Sequence, residues 1–252
     1  MNSRGRAKGL PGLSLVGRRR RIRLVAETVF HEAEVESRWE AAPAVVLVIA
    51  LQLLLAIVSR ERGWKQWGLP WWTWLVAVGP ELLMLLPLAW QRPRRRLVQL
   101  GHRRMVAVAL LAVVSAANAL SLVALIGSLI SGQEKSGGEL LLKAFAIWAT
   151  NVIVFGLWFW ELDRGGPVRR CEPSPPPPDF QFPQSENPQL AEPDWTPHLL
   201  DYVYIAFTNA IAFSPTDAMP LTRRTKFLML IQSGVSAITV LLAAARAVNI
   251  LK

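Results

Sequence analysis

Apolar positions along the chain come in long blocks rather than in short alternations. Five stretches are apolar almost throughout, residues 42–58, 71–90, 105–130, 140–160 and 227–251. A helix needs about 20 largely apolar residues to cross a bilayer, so each stretch predicts a transmembrane helix. The second is interrupted by Pro80 and Glu81. A sixth run, 199–213, is shorter and carries Asp201, Thr208 and Asn209. It predicts a helix that either crosses the membrane or enters and leaves on one side, as a pore helix does. The predicted fold is an all-α polytopic integral membrane protein with five or six transmembrane helices, the sixth run being the re-entrant, pore-like alternative.

Polar segments divide the chain into four parts. Residues 1–41 form a basic tail, 42–165 a four-helix membrane bundle, 166–198 a proline-rich linker, and 199–252 a helix–loop–helix module. Ten of the 18 prolines fall between 167 and 197, Pro175, Pro176, Pro177 and Pro178 in succession. Such a stretch favours polyproline II over helix and reads as a solvent-exposed spacer. Phe180, Phe182 and Trp195 are apolar anchors that would hold it down on the membrane surface.

Composition agrees with the pattern. Apolar residues make up 52% of the 252 and charged residues 18%, and mean hydropathy is +0.29. A soluble domain carries about 25% charge, so a soluble enzyme and a soluble nucleic-acid binder are both disfavoured. The net charge of +10 therefore points to anionic lipid headgroups and membrane orientation, with no nucleic acid as partner. Eight of the 11 tryptophans gather at the ends of the runs (Trp64, Trp67, Trp71, Trp72, Trp74, Trp90, Trp158 and Trp160), which reads as an interfacial belt.

The basic residues also set an orientation. The tail before Ala42 carries nine Lys and Arg and the 91–104 segment six, whereas 59–70 carries three and 131–139 one. Lys and Arg accumulate on the cytoplasmic side, so the N-terminus is expected in the cytoplasm of a bacterial cell, with the chain in the inner, plasma membrane. The segment after Arg21 carries five glutamates and His31 rather than an apolar signal core. The tail is therefore expected to be retained. Cys171 is the single cysteine, and neither a metal nor another cofactor is expected.

Polar side chains inside apolar runs are costly and informative. Glu81, Asn118, Lys143, Asn151 and Arg246 are the intramembrane candidates, with Gln52 and Gln232 beside them. Glu81 reads either as a proton or cation site or as the partner of Lys143 or Arg246. Asn118 and Asn151 read as hydrogen bonds between helices. Ser233, Gly234, Ser236 and Ala237 offer a small-residue face for close packing. Glu161 and Asp163 point to different helix faces and read as a helix end, since Gly165, Gly166 and Pro167 follow.

The segment from Asp201 to Thr222 resembles the pore module of tetrameric potassium channels. Tyr202, Tyr204, Phe207 and Thr208 match the pore helix, and Asp217, Pro220 and Thr222 match the residues after the filter, over about 50 residues. The filter positions are Ala212, Phe213, Ser214, Pro215 and Thr216. Carbonyl filters need glycine backbone angles. Both glycines are missing, and Pro215 fixes φ. The resemblance thus implies a degenerate, non-potassium-selective pore loop in a homotetramer, passing monovalent cations. Thr208, Asn209, Ser214, Thr216 and Asp217 would be the pore-lining candidates. A potassium channel's loop enters from outside, whereas the charge pattern here puts it at the inner face. The blocks at 158–167, 206–217 and 243–251 are also similar to uncharacterised bacterial multi-pass membrane proteins of the DUF1345 type, which implies architecture and no chemistry.

Two functional expectations follow, an ion-channel-like protein and a structural or accessory membrane protein without transport activity. In the second, Pro215, Thr216 and Asp217 would cap the last helix. A transporter built on Glu81, Lys143 and Arg246 would call for internal repeats, and the halves show no clear self-similarity. No enzyme is expected, since GxSxG, HExxH and phosphate-binding glycine loops are missing from the sequence.

Overall fold

The computed structural model describes residues 41–65, 68, 70–75, 78–79, 81–82, 103–132, 136–170, 174–193, 195–215 and 217–250. The basic tail, most of the second apolar run and the 91–102 segment lie outside the described residues, as do His31, His102, Trp67, Trp90 and Cys171. Five helices organise the rest. They are α1 (Ala41–Arg62), α2 (Arg103–Ile130), α3 (Gly137–Leu162), α4 (Leu199–Ala212) and α5 (Arg223–Ile250). Four of them, α1, α2, α3 and α5, are long and apolar enough to cross a membrane. The protein is an all-α, multi-pass membrane protein.

Helix α3 is the centre. In its most apolar stretch 72% of the residues are buried, against 28%, 22% and 22% in α1, α2 and α5. A helix that is apolar on every face needs neighbours on every side, and α1, α2, α4 and α5 supply them. Ser136 caps its start by accepting from the Glu139 N–H at 3.4 Å. One turn on, Glu139 accepts from Lys143 at 2.6 Å, the i, i+4 spacing at which helix side chains meet. Lys143 is fully buried and also donates to the carbonyl of Lys65, 2.9 Å away, which ties the chain after α1 to the start of α3.

The far end of α3 is a reversal. Arg164 sits at φ 51°, Gly165 at 81° and Gly166 at 103°, so three successive residues occupy left-handed backbone and the helix cannot continue. The stop expected from Gly165, Gly166 and Pro167 is therefore present. The proline-rich segment after it is exposed or half-exposed over most of its described length, as a spacer would be, but Asp179, Phe180 and Phe182 are buried in protein rather than laid on a membrane surface. Phe180 and Phe182 are buried in the same core as Phe159 and Tyr202, with ring centroids 5.2 to 6.4 Å apart. Trp195 stands edge-on to Phe182 at 5.5 Å. It also forms single helical turns at Pro167–Arg170 and Pro183–Glu186. Each opens on proline, where the missing N–H costs nothing.

The sixth apolar run becomes α4, and its side-chain contacts fix its path. Its first turn meets the end of α3 through Tyr202 and Asp163. It then runs back along α3, with Val203 against Gly156 and Phe207 against Trp148. At 14 residues it is about 21 Å long, short of a hydrocarbon core about 30 Å thick. Phe213, at φ 54°, ends it. The chain then returns to where it started, because Met219–Pro220 (β2) pairs antiparallel with Phe180–Gln181 (β1), beside Asp163. An extended chain gains about 3.3 Å per residue, so the short 213–218 stretch can make this return only because α4 is itself short. Helix α5 leaves from the same end and continues to the opposite end of α3, where Ala243 packs on the cluster of Leu140 and Ala144. Relative to α3, α4 is re-entrant and α5 crosses.

Candidate functional site

The site is the mouth of this re-entrant loop, where the end of α3, the proline-rich segment and the starts of α4 and α5 converge. Asp163 is its hub and is 1% exposed. Its Oδ1 accepts the backbone N–H groups of Asp179 and Phe180 at 2.7 and 3.3 Å. Its Oδ2 accepts the Tyr202 hydroxyl at 2.6 Å and lies 3.7 Å from Arg170. Arg170 donates to the Tyr202 oxygen and to the Trp160 carbonyl at 3.1 Å, with its guanidinium over both rings. The carboxylate thus accepts from three donors and has a guanidinium at ion-pair distance.

Asp179 repeats the design one layer outward and has no exposed surface. Its Oδ1 accepts from the Thr222 hydroxyl at 2.7 Å and from Arg224 Nε at 2.8 Å, and a second Arg224 nitrogen reaches Oδ2. A fork donor meeting a planar carboxylate is the strong form of such a pair. The Asp179 carbonyl accepts the Leu221 N–H at 2.8 Å. Thr222 also precedes α5 and accepts from the Thr225 N–H at 3.4 Å. The residue that opens α5 is therefore Thr222, not the Pro215–Asp217 segment, because the chain must first pair with β1.

Below the mouth, amide side chains pin the three helices together. Asn209 donates to the Met229 carbonyl at 3.1 Å and to Gln232 Oε1 at 2.8 Å. Gln232 Nε2 donates to the Ala206 carbonyl at 2.6 Å. Asn151 on α3 donates to the Gln232 carbonyl at 3.1 Å and to the Ser236 hydroxyl at 2.9 Å. These bonds sit where apolar packing alone would let helices slide. The packing face of α5 is thus Gln232, Ser236 and Thr239, which are buried, while Gly234 faces open space.

The expected residues are distributed as follows. Of the pore-lining candidates, Asn209 is buried between α4 and α5, and the Thr208 hydroxyl donates back to Tyr204 and Ile205 carbonyls at 3.0 and 3.1 Å. Ser214 and Asp217 are exposed on the return stretch, and the Tyr204 hydroxyl bonds to Asp217. Thr216 lies outside the described residues. Of the intramembrane candidates, Asn118 donates to the Ile147 carbonyl at 3.1 Å, joining α2 to α3 as Asn151 joins α3 to α5. Lys143 pairs with Glu139 rather than with Glu81, because one helical turn brings Glu139 to it without any fold. Glu81 instead accepts from Gln52 at 2.6 Å. The Arg246 side chain lies outside the described residues. Trp158 and Trp160 do not join an interfacial belt. Trp158 donates to the Ser115 hydroxyl at 2.9 Å and Trp160 is buried under Arg170, whereas Trp72 is exposed as a belt residue would be.

Sequence reasoning missed Asp163, Arg170, Asp179 and Arg224 as a set. The available signal was an aspartate directly before the Phe-x-Phe pair inside the proline-rich stretch, a charge placed among anchors. Among the described residues no group of three His, Cys, Asp or Glu side chains could hold a metal ion. No family model matches the chain, and neither a curated protein nor a solved structure matches it.

Proposed function

We propose that the chain is an ion-channel-like membrane protein in which identical copies gather their re-entrant loops around one axis. The observation that carries this reading is the shared end, with α4 leaving and the return stretch arriving beside Asp163. Irregular backbone at membrane depth is tolerated only inside protein or along a water-filled cavity. In one copy Phe213, Ser214, Pro215 and Asp217 are exposed. Three further copies, completing the tetramer of the pore-module analogy, would enclose that stretch around water. Residues 212–216 lack glycine, so the loop would pass monovalent cations without potassium selectivity, with Asp217 held by Tyr204 as the charged group at its mouth.

In this reading the N-terminus is cytoplasmic and the loop enters from the inner face of the plasma membrane. Arg164, Arg169, Arg170, Arg223, Arg224 and Lys226 all belong to that end, as the positive-inside rule asks, and the exposed ones, Arg169, Arg223, Arg224 and Lys226, would face anionic headgroups.

A second reading, an accessory membrane protein without transport, is favoured by Asn209, whose amide is committed to α5 rather than to a lumen. Counting subunits per particle in nanodiscs separates the two. A tetramer is expected, and monovalent cation flux into vesicles should fall several-fold in Asp217→Asn. A monomer or dimer would remove the axis and leave the accessory reading.

A further inference from the structure

A different part of the bundle holds a second carboxyl group, and its surroundings ask for a proton. Glu81 is 1% exposed and Gln52, on α1, is 8% exposed. Gln52 Nε2 donates to Glu81 Oε1 at 2.6 Å. The two remaining oxygens, Gln52 Oε1 and Glu81 Oε2, are buried with no hydrogen-bond partner. Both are acceptors if Glu81 is ionised. One donor then serves a carboxylate with about four lone-pair sites, and an unmet buried charge is far costlier than an unmet neutral group. Among the described residues no cation is bonded to Glu81. Lys143, on the neighbouring α3, pairs with Glu139, Arg60 lies over Trp71, and Arg62 lies over Trp64.

We infer that Glu81 and Gln52 form a buried proton-binding site, a neutral carboxylic acid and a carboxamide closed into a two-hydrogen-bond ring between α1 and the second apolar run. Gln52 Nε2 donates to Glu81 Oε1, and the acid O–H on Oε2 donates to Gln52 Oε1. One proton satisfies both orphaned oxygens and removes the charge. Loss of that proton sets two acceptors against each other and strands an anion, so the ring locks the first two apolar runs together only while it is protonated. This inference stands apart from the pore-loop reading and shares no residue with it.

Infrared spectroscopy of the full chain in lipid vesicles at neutral pH tests it. A carbonyl band of a protonated carboxylic acid is expected, sensitive to deuterium exchange and missing in Glu81→Gln. That variant keeps one donor and one acceptor facing Gln52, and so should fold. In Gln52→Leu the band should persist and move to higher frequency, as the acid loses both partners. If neither variant is obtained folded, the wild-type spectrum of protein carrying 13C-labelled glutamate still decides, since the band must then shift as that of a protonated glutamic acid does. A wild-type spectrum without such a band at neutral pH would overturn the inference. So would a band that disappears on adding sodium ions, which would assign the orphaned oxygens to a metal cation.

Discussion

Asp163 and Glu81 are both buried carboxyl groups in one helical bundle, both 1% exposed, and they are built in opposite ways. Asp163 has two backbone N–H groups, a hydroxyl and a guanidinium. Glu81 has one amide donor and an oxygen with none. Burial is the same and donor supply differs. A carboxylate persists away from water only where donors replace the lost hydration, and Glu81, on the inference above, lacks that supply and holds a proton instead.

The contrast is tested most strongly by replacing the carboxyl group at each site with an amide. Asp163→Asn leaves Arg170 without its anion and turns an amide N–H₂ toward groups that already donate. Breaking a buried pair of this kind costs about 3 kcal/mol, and the unfolding midpoint in micelles should drop accordingly. A smaller loss is expected from Gly156→Ala. An added Cβ would lie 2.8 Å from Val203 Cγ2 and 2.9 Å from its Cα. The backbone of α4 must then move, at about 2 kcal/mol for forced overpacking, and the Tyr202–Asp163 contact should loosen with it. Crosslinking of cysteines placed on α3 and α4 would read that displacement.

Below that lies Asn209→Leu, which leaves Gln232 Oε1 without its donor and removes the second bond to the Met229 carbonyl. An unmet buried polar group costs about 1–2 kcal/mol, read by unfolding together with a Gln232→Leu double-mutant cycle that should show coupling between the two amides. Smallest of all should be Glu81→Gln, which keeps the count of donors and acceptors facing Gln52, with stability within about 0.5 kcal/mol of wild type. If Glu81→Gln cost as much as Asp163→Asn, the two sites would not differ in charge and the comparison would fail.

Much of the architecture was legible because it is local. The apolar runs 42–58, 105–130, 140–160 and 227–251 became α1, α2, α3 and α5 with ends shifted by a few residues, since transfer of a continuous block into hydrocarbon depends on that block alone. The bonds of Asn118 and Asn151 to other helices were expected on the same ground, although not their partners. The burial of Asp179, Phe180 and Phe182 within the proline-rich stretch was not legible because composition weighs each residue by itself. Asp179, Phe180 and Phe182 act together with Arg224 and Tyr202, and the Asp179–Arg224 pair spans 45 positions of sequence.

The amino-acid sequence by itself determined four segments long and apolar enough to cross a membrane, where α3 must stop, and that the run at 199–213 is shorter and more polar than they are, with a crossing and a re-entrant helix both open. Only the tertiary structure decided that α4 turns back, that Asp163 and Asp179 are the anchors of that turn, and that Glu81 faces Gln52 and not Lys143. Solvation is a property of a segment and can be summed along the chain. The supply of donors to a buried carboxyl depends on which distant segments meet there, and no local pattern carries that information.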